Sequence, residues 1–158
     1  MANWSGGARR GDRALGIAYS DMWNSHIGLV TEVSLDRLTG KTRVHNVWAA
    51  VDCGHAIQPL NVARQIEGSV IWGVSSALFE RLSIVGGVFQ ATNLHEYPIL
   101  RADETPRVDV KVFPTDNYPG GIGEVGVPPV PPAIANALAV LTGKRMRALP
   151  FDANLLRT

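Results

Sequence analysis

Apolar side chains recur every fourth position from Val62 through Ile66, Val70, Val74 and Leu78 to Leu82, with Ala63, Ile71 and Ala77 broadening the stripe. That spacing predicts a long amphipathic helix over residues 61–81 with one face buried. Pro59 precedes it, and Asn61 is a candidate cap. Gly68 and Gly73 fall inside the helix, where each weakens it by about 1 kcal/mol relative to alanine. Their presence predicts close approach of another backbone or of a ligand at these two positions.

Upstream, the period changes to two. Leu15, Ile17 and Tyr19 alternate within 14–20, and Ile27, Leu29, Thr31, Val33 and Leu35 within 26–35. Thr39-Gly40 supplies a turn, and the stretch 43–52 becomes apolar on both sides, as a strand covered on both faces does. These segments predict an antiparallel hairpin whose last strand lies deep in a sheet, with the long helix packed across it. Downstream, Gly86-Gly87 suits the two-residue turn of a short hairpin over 83–90. Pro98 leaves 95–101 irregular or at an edge. Val108, Val110 and Val112 alternate in a further strand over 107–113. Ile134, Leu138 and Leu141 make the face of a second helix, which Pro131 and Pro132 begin and Gly143 stops. The fold class is therefore α+β: a mixed or antiparallel sheet with a long packed helix and a C-terminal helix. One domain is expected over 14–158, with residues 1–13 as a flexible lead-in.

Composition narrows the function classes. Of 158 residues, 46% are hydrophobic and 18% charged, enough apolar surface for a core, and the net charge of +1 argues against a nucleic-acid partner. The densest basic group, Lys144, Arg145 and Arg147, falls just past the second helix, where cations suit the exposed carbonyls. Cys53 is the single cysteine, so neither an internal disulfide nor a Cys-based zinc or iron–sulfur site forms within this sequence. Its apolar neighbours predict a small buried hydrophobe. No apolar run approaches the ~18 residues of a membrane span. The opening MANWSGGARRGDR lacks the apolar core of a secretory signal. The compartment, bacterial cytoplasm or periplasm, is left open.

The chemistry concentrates in PGGIGEVGVPPVPPA, residues 119–133, which holds four glycines, five prolines and one acid, Glu124. Residues 121–126 formally match G-x-G-x-x-G. However, the approach from the preceding strand is long, Pro128 and Pro129 delay the helix, and no second strand with an acid follows, so a dinucleotide loop is disfavoured. The four histidines are dispersed, and no metal-ligand spacing is present. Glycines instead let a backbone pass close to a bulky ligand, and the downstream prolines stiffen the loop. A carboxylate fixed on such a support is a candidate general base. A solvated turn is the competing reading of the same residues.

GGIGEVGVPPVPPAIANALAVLTGKRMRALPF resembles the C-terminal end of the large subunit of molybdenum hydroxylases, the xanthine dehydrogenase and aldehyde oxidoreductase family. VWAAVDCGHAIQPLNVARQIEGSVIWGVSSALFE, HEYPILRADETPRVDV and TGKRMRALPF are similar to its isoquinoline 1-oxidoreductase beta-subunit branch and the related bacterial aldehyde dehydrogenases, in the same order, over about residues 14–151. The resemblance implies a molybdenum centre carried by molybdopterin cytosine dinucleotide. It also implies hydroxylation of an aldehyde or N-heteroaromatic carbon by an oxygen bound to the metal. Glu124 matches the family's active-site base, and Gln65 the helix glutamine that approaches the pterin. Gly123 and Gly126 match the loop behind the metal, Gly121 is a further cofactor-binding candidate, and Gly68 and Gly73 let the helix come close to the cofactor or to neighbouring backbone. Val125 stands where the family commonly has proline, and Gln58-Pro59 replaces Asn-Pro. Family members are much longer, so the partners implied are the remainder of the large subunit, a small two-iron two-sulfur subunit and a small-molecule substrate. Self-association through uncovered apolar surface is also expected. A truncated, non-catalytic relative acting as a binding or structural module is the alternative.

Overall fold

The computed structural model describes residues 1–4 and 9–157. Part of the expected lead-in, residues 5–8, lies outside the described residues. Its last residues pair: β1 (Arg9–Arg10) runs antiparallel to the start of β2 (Arg13–Met22). β2, β3 (Ser25–Leu35) and β4 (Thr42–Asp52) follow as an antiparallel meander. α1 (Pro59–Leu78) then crosses the sheet, and β5 (Ile84–Val85) and β6 (Val88–Phe89) form the small separate hairpin expected at Gly86-Gly87. Two single 3₁₀ turns, Leu94–Glu96 and Ala102–Glu104, fill the irregular stretch around Pro98. β7 (Arg107–Val112) returns to the sheet parallel to β4, giving the order β1-β2-β3-β4-β7. α2 (Val130–Thr142) and the one-turn α3 (Ala153–Leu156) complete the chain.

Both long helices lie on one face of the sheet, α1 over β4 and β7 and α2 over β2 and β3. The register defines that face. Ala14 pairs with Val33 and Val33 with Val44, Ala18 with Leu29 and Leu29 with Ala49, Ala49 with Val110. Successive residues point to opposite sides of a strand, and a bulge in β4 opposite Glu32 and Val33 shifts its phase by one residue, so these positions share one side. Ile66, Val70 and Val74 of α1 and Ile134 and Leu138 of α2 meet them with no exposure. The fourfold spacing read in the sequence is thus the buried stripe of α1, although the helix stops at Leu78 and leaves Leu82 half exposed. Asn61 does not cap α1. Gln58 occupies the cap position without a side-chain bond, and Pro59 takes the first helical position, where a missing N–H does no harm.

β2 departs from its apparent pattern. Its larger residues Ile17 and Tyr19 point away from the helices and are exposed, while Ala14, Gly16 and Ala18 face them. The reason is α2. A Cβ at Gly16 would collide with the Ala133 carbonyl and lie 2.5 Å from the Ala137 nitrogen, so α2 rests directly on the β2 backbone. α2 ends as expected at Gly143, whose φ of 73° is left-handed. Cys53 is buried at the end of β4, and burial, with the Asp52 charge, pushes its thiol up from the ordinary range.

Candidate functional site

Three segments converge beside the N-terminal half of α1: the β2–β3 turn, α1 itself and the loop leading to α2. The β2–β3 turn is Trp23-Asn24, with both residues left-handed at φ 57° and 60°. That is the two-residue hairpin geometry that glycine usually supplies. The loop from β7 is tied down along its length. Asp52 Oδ1 accepts from the Thr115 hydroxyl at 3.0 Å, the His55 N–H donates to the Asn117 carbonyl, and the Gly120 N–H donates to the Cys53 carbonyl. The loop then crosses the β2–β3 turn. The Gly121 N–H donates to the Trp23 carbonyl at 2.8 Å, and the Ser25 hydroxyl donates to the Gly121 carbonyl at 2.6 Å.

This crossing leaves Glu124 at the edge of a cavity of about 800 Å³, walled by Met22, Trp23, Gln65, Trp72 and Val127 among others. Among the described residues in that wall, Glu124 carries the one charge. Its carboxylate Oε1 accepts from the Trp23 indole Nε1 at 3.3 Å. On the opposite side, Gln65 Nε2 donates to the Gly123 carbonyl at 2.9 Å, so the loop is held from both the turn and the helix. Glu124 and Gln65 are exposed to the cavity, not enclosed in the core. Val125, the residue next to the carboxylate, is fully buried in the core and anchors the loop that a proline would otherwise stiffen. A second cavity of about 310 Å³ adjoins Cys53, His55 and Asn61, and Gln65 stands in the wall of both.

The glycines divide into two groups. Gly68 and Gly123 line the large cavity, and a Cβ on either would meet nothing within 4 Å. Nothing in the chain's own packing requires glycine there. Gly121 and Gly126 are outside the wall and are accounted for internally. A Cβ at Gly121 would sit 2.7 Å from the Trp23 Cβ, and one at Gly126 would collide with the Ser69 hydroxyl. Gly73 is likewise internal, 2.7 Å from the Val130 Cβ where α2 begins. Trp23, Ser25, Ser69 and Trp72 were not singled out by sequence reasoning. An Asn following an aromatic residue between two alternating runs was the available signal for the turn, but nothing in one sequence says that the turn meets residue 121.

Among the described residues, no three His, Cys, Asp or Glu side chains gather as metal ligands. The wall offers one side-chain amide, one hydroxyl, one carboxylate and aromatic faces instead. Those groups suit an organic cofactor that brings its metal in its own ligand set, and Gly68 and Gly123 leave room for it to lie against the backbone.

Comparison with known proteins agrees. Residues 18–106 match the molybdopterin cofactor-binding domain. The chain is 43% identical to isoquinoline 1-oxidoreductase subunit beta of Brevundimonas diminuta, over 89% of this chain and 18% of that protein. It is 34% identical to the membrane-bound aldehyde dehydrogenase (pyrroloquinoline-quinone) of Gluconacetobacter polyoxogenes, over 98% of this chain and 21% of that one. Among solved structures, quinoline 2-oxidoreductase of Pseudomonas putida 86 superposes with a TM-score of 0.70 at 26% identity, over 75% of this chain and 16% of that one. The chain thus spans about a fifth of the length of the relatives it matches.

Proposed function

Because this chain belongs to the molybdopterin cofactor-binding domain family, we propose that it forms the glutamate-bearing wall of the molybdenum site in a larger hydroxylating oxidoreductase. The substrate class, an aldehyde or an N-heteroaromatic ring, is drawn from the relatives' names, an isoquinoline oxidoreductase and an aldehyde dehydrogenase. The observation that carries the reading is the single carboxylate, Glu124, held at the edge of an otherwise uncharged cavity by bonds from two different elements.

The bound cofactor supplies the redox and Lewis-acid chemistry of the hydroxylation. This chain's residues supply position and proton transfer. Glu124 is the general base: Oε1 rests on the Trp23 indole, and Oε2 would take the proton from the hydroxyl that adds to the substrate carbon. Gln65, whose amide N–H group is engaged by Gly123, would offer its carbonyl to donors on the pterin, and Gly68 and Gly123 would let the cofactor lie close to helix and loop. Gly121 and Gly126 shape that loop. The cytosine dinucleotide form and a two-iron two-sulfur partner subunit follow from the family resemblance.

Glu124→Gln in the complete enzyme tests the reading. Gln is nearly isosteric but accepts no proton. Metal content and folding should stay at wild-type levels, while kcat falls about 10²–10⁴-fold with KM little changed. Wild-type turnover in that variant would remove Glu124 from catalysis.

A further inference from the structure

We infer that Trp23, at the tip of the β2–β3 turn, is a positioning residue for Glu124. The inference rests on the assignment of Glu124 as the base, and it concerns what aims that base.

Three observations meet at Trp23. The first is conformational. A bulky aromatic residue at φ 57° is uncommon, because a left-handed backbone places Cβ against the following carbonyl. Asn24 at φ 60° tolerates this region, and glycine would serve at both places. A side chain kept where glycine would relax the turn is explained by what that side chain touches. Its indole N–H reaches the Glu124 carboxylate at 3.3 Å, and no other side-chain hydrogen bond to that carboxylate is present among the described residues.

The second observation is that the contact is doubled through the backbone. Gly121 packs its α-carbon against the Trp23 Cβ and donates its N–H to the Trp23 carbonyl. A Cβ at Gly120 would sit 2.6 Å from the Asn24 carbonyl oxygen. The turn and the glutamate loop therefore form one tight joint, and glycine at 120 and 121 is what lets them close. The third observation is placement. Trp23 is 65% exposed yet lines the cavity, so its ring is not spent on the core. A rigid two-torsion side chain with one N–H donor fixes the direction of one carboxylate oxygen and leaves the other free.

The test uses the complete enzyme, with Trp23→Phe and Trp23→His each compared with wild type. Phe keeps a ring over Gly121 and removes the donor. His retains a ring N–H. Each is also made with Asn24→Gly, which relaxes the turn, so that folded protein is obtained in at least one background. Trp23→Phe should lower kcat about 10-fold, the scale of one hydrogen bond to a charged group, with KM and metal content unchanged. Trp23→His should recover part of the loss. Hydrogen exchange of the peptide spanning 119–126 should be faster in Trp23→Phe. In a Glu124→Gln background, Trp23→Phe should change kcat little, because residues acting as a unit are not additive. Unchanged kcat and unchanged exchange in Trp23→Phe would overturn the inference, as would an equal loss in both backgrounds. If Glu124→Gln itself keeps wild-type turnover, the catalytic assignment falls. Loop exchange then decides the positioning role: faster in Trp23→Phe supports it, unchanged removes it.

Discussion

Glu32 sits on the sheet face away from the helices, 8% exposed, between Arg13 and Asn46. Burial pushes its carboxyl up. The Asn46 amide at 2.6 Å and the Arg13 guanidinium at 2.9 Å outweigh that effect and hold it below the usual carboxylate range. Beside it, burial and the charges of Arg13 and Arg43 hold His45 below its ordinary value. The two shifts act in the same direction on stability. A histidine that protonates less readily when folded loses the native state stability as pH drops below about 6.5. A carboxylate with a depressed folded value contributes stability above about 4.3 that is lost as pH falls through its lower folded value. Denaturant midpoints measured from pH 8 to 3 should therefore fall in two stages. His45→Gln should flatten the upper stage and Glu32→Gln the lower one. A pH-independent midpoint in the wild type would contradict both assignments.

At the scale of elements, the two glycines inside α1 make opposite predictions. Gly73→Ala forces a methyl to within 3.0 Å of Val130, so overpacking of about 1–3 kcal/mol should exceed the gain in helix propensity. Gly68→Ala meets open space and should stabilise the chain by about 0.5–1 kcal/mol while impairing cofactor loading. Urea unfolding of both variants, with metal content in the complete enzyme, checks the pair, and shifts of the same sign would contradict it. The sequence predicted close approach at both glycines; α2 supplies it at Gly73, whereas Gly68 faces open space. The same limit runs through the fold. Periodicity revealed α1, the β2–β3–β4 meander, the β5–β6 hairpin and the face of α2, because each is a local pattern. It identified β2 as a strand with Leu15, Ile17 and Tyr19 on one face, but not that α2 covers the other face, because the glycine and alanines there carry no hydrophobic signal. It was silent on the parallel pairing of β7 with β4, which is a property of two distant segments. At the site, Glu124, Gln65 and the glycines were visible through motif resemblance, whereas Trp23 came into view only when the turn and the loop were seen to touch.

For the whole molecule, many large apolar side chains remain uncovered. Leu60, Trp72 and Leu94 are 81%, 75% and 95% exposed, and the residues of β5 and β6 are all exposed. Surface of this kind marks an interaction site. The 158-residue chain purified by itself should therefore self-associate as concentration rises, and Leu60→Lys with Trp72→Lys should reduce that association in sedimentation experiments. It should also carry substoichiometric molybdenum, since one helix, one loop and one turn enclose too little of a pterin dinucleotide. A strictly monomeric chain with full metal content would contradict both expectations. The parallel position of β7 has a further consequence, for the time course of folding. β2, β3 and β4 are joined by short turns and can pair early at small loop-closure cost. β7 reaches β4 only after α1 and all that follows it have been gathered in. Interactions along β7 should therefore be absent from the folding transition state. Val110→Ala should speed unfolding and leave the refolding rate nearly unchanged, while Leu29→Ala in the meander should slow refolding. The strand that completes the sheet and leads into the glutamate loop would then be the last to arrive, so that loop is ordered only when the rest of the sheet is already native.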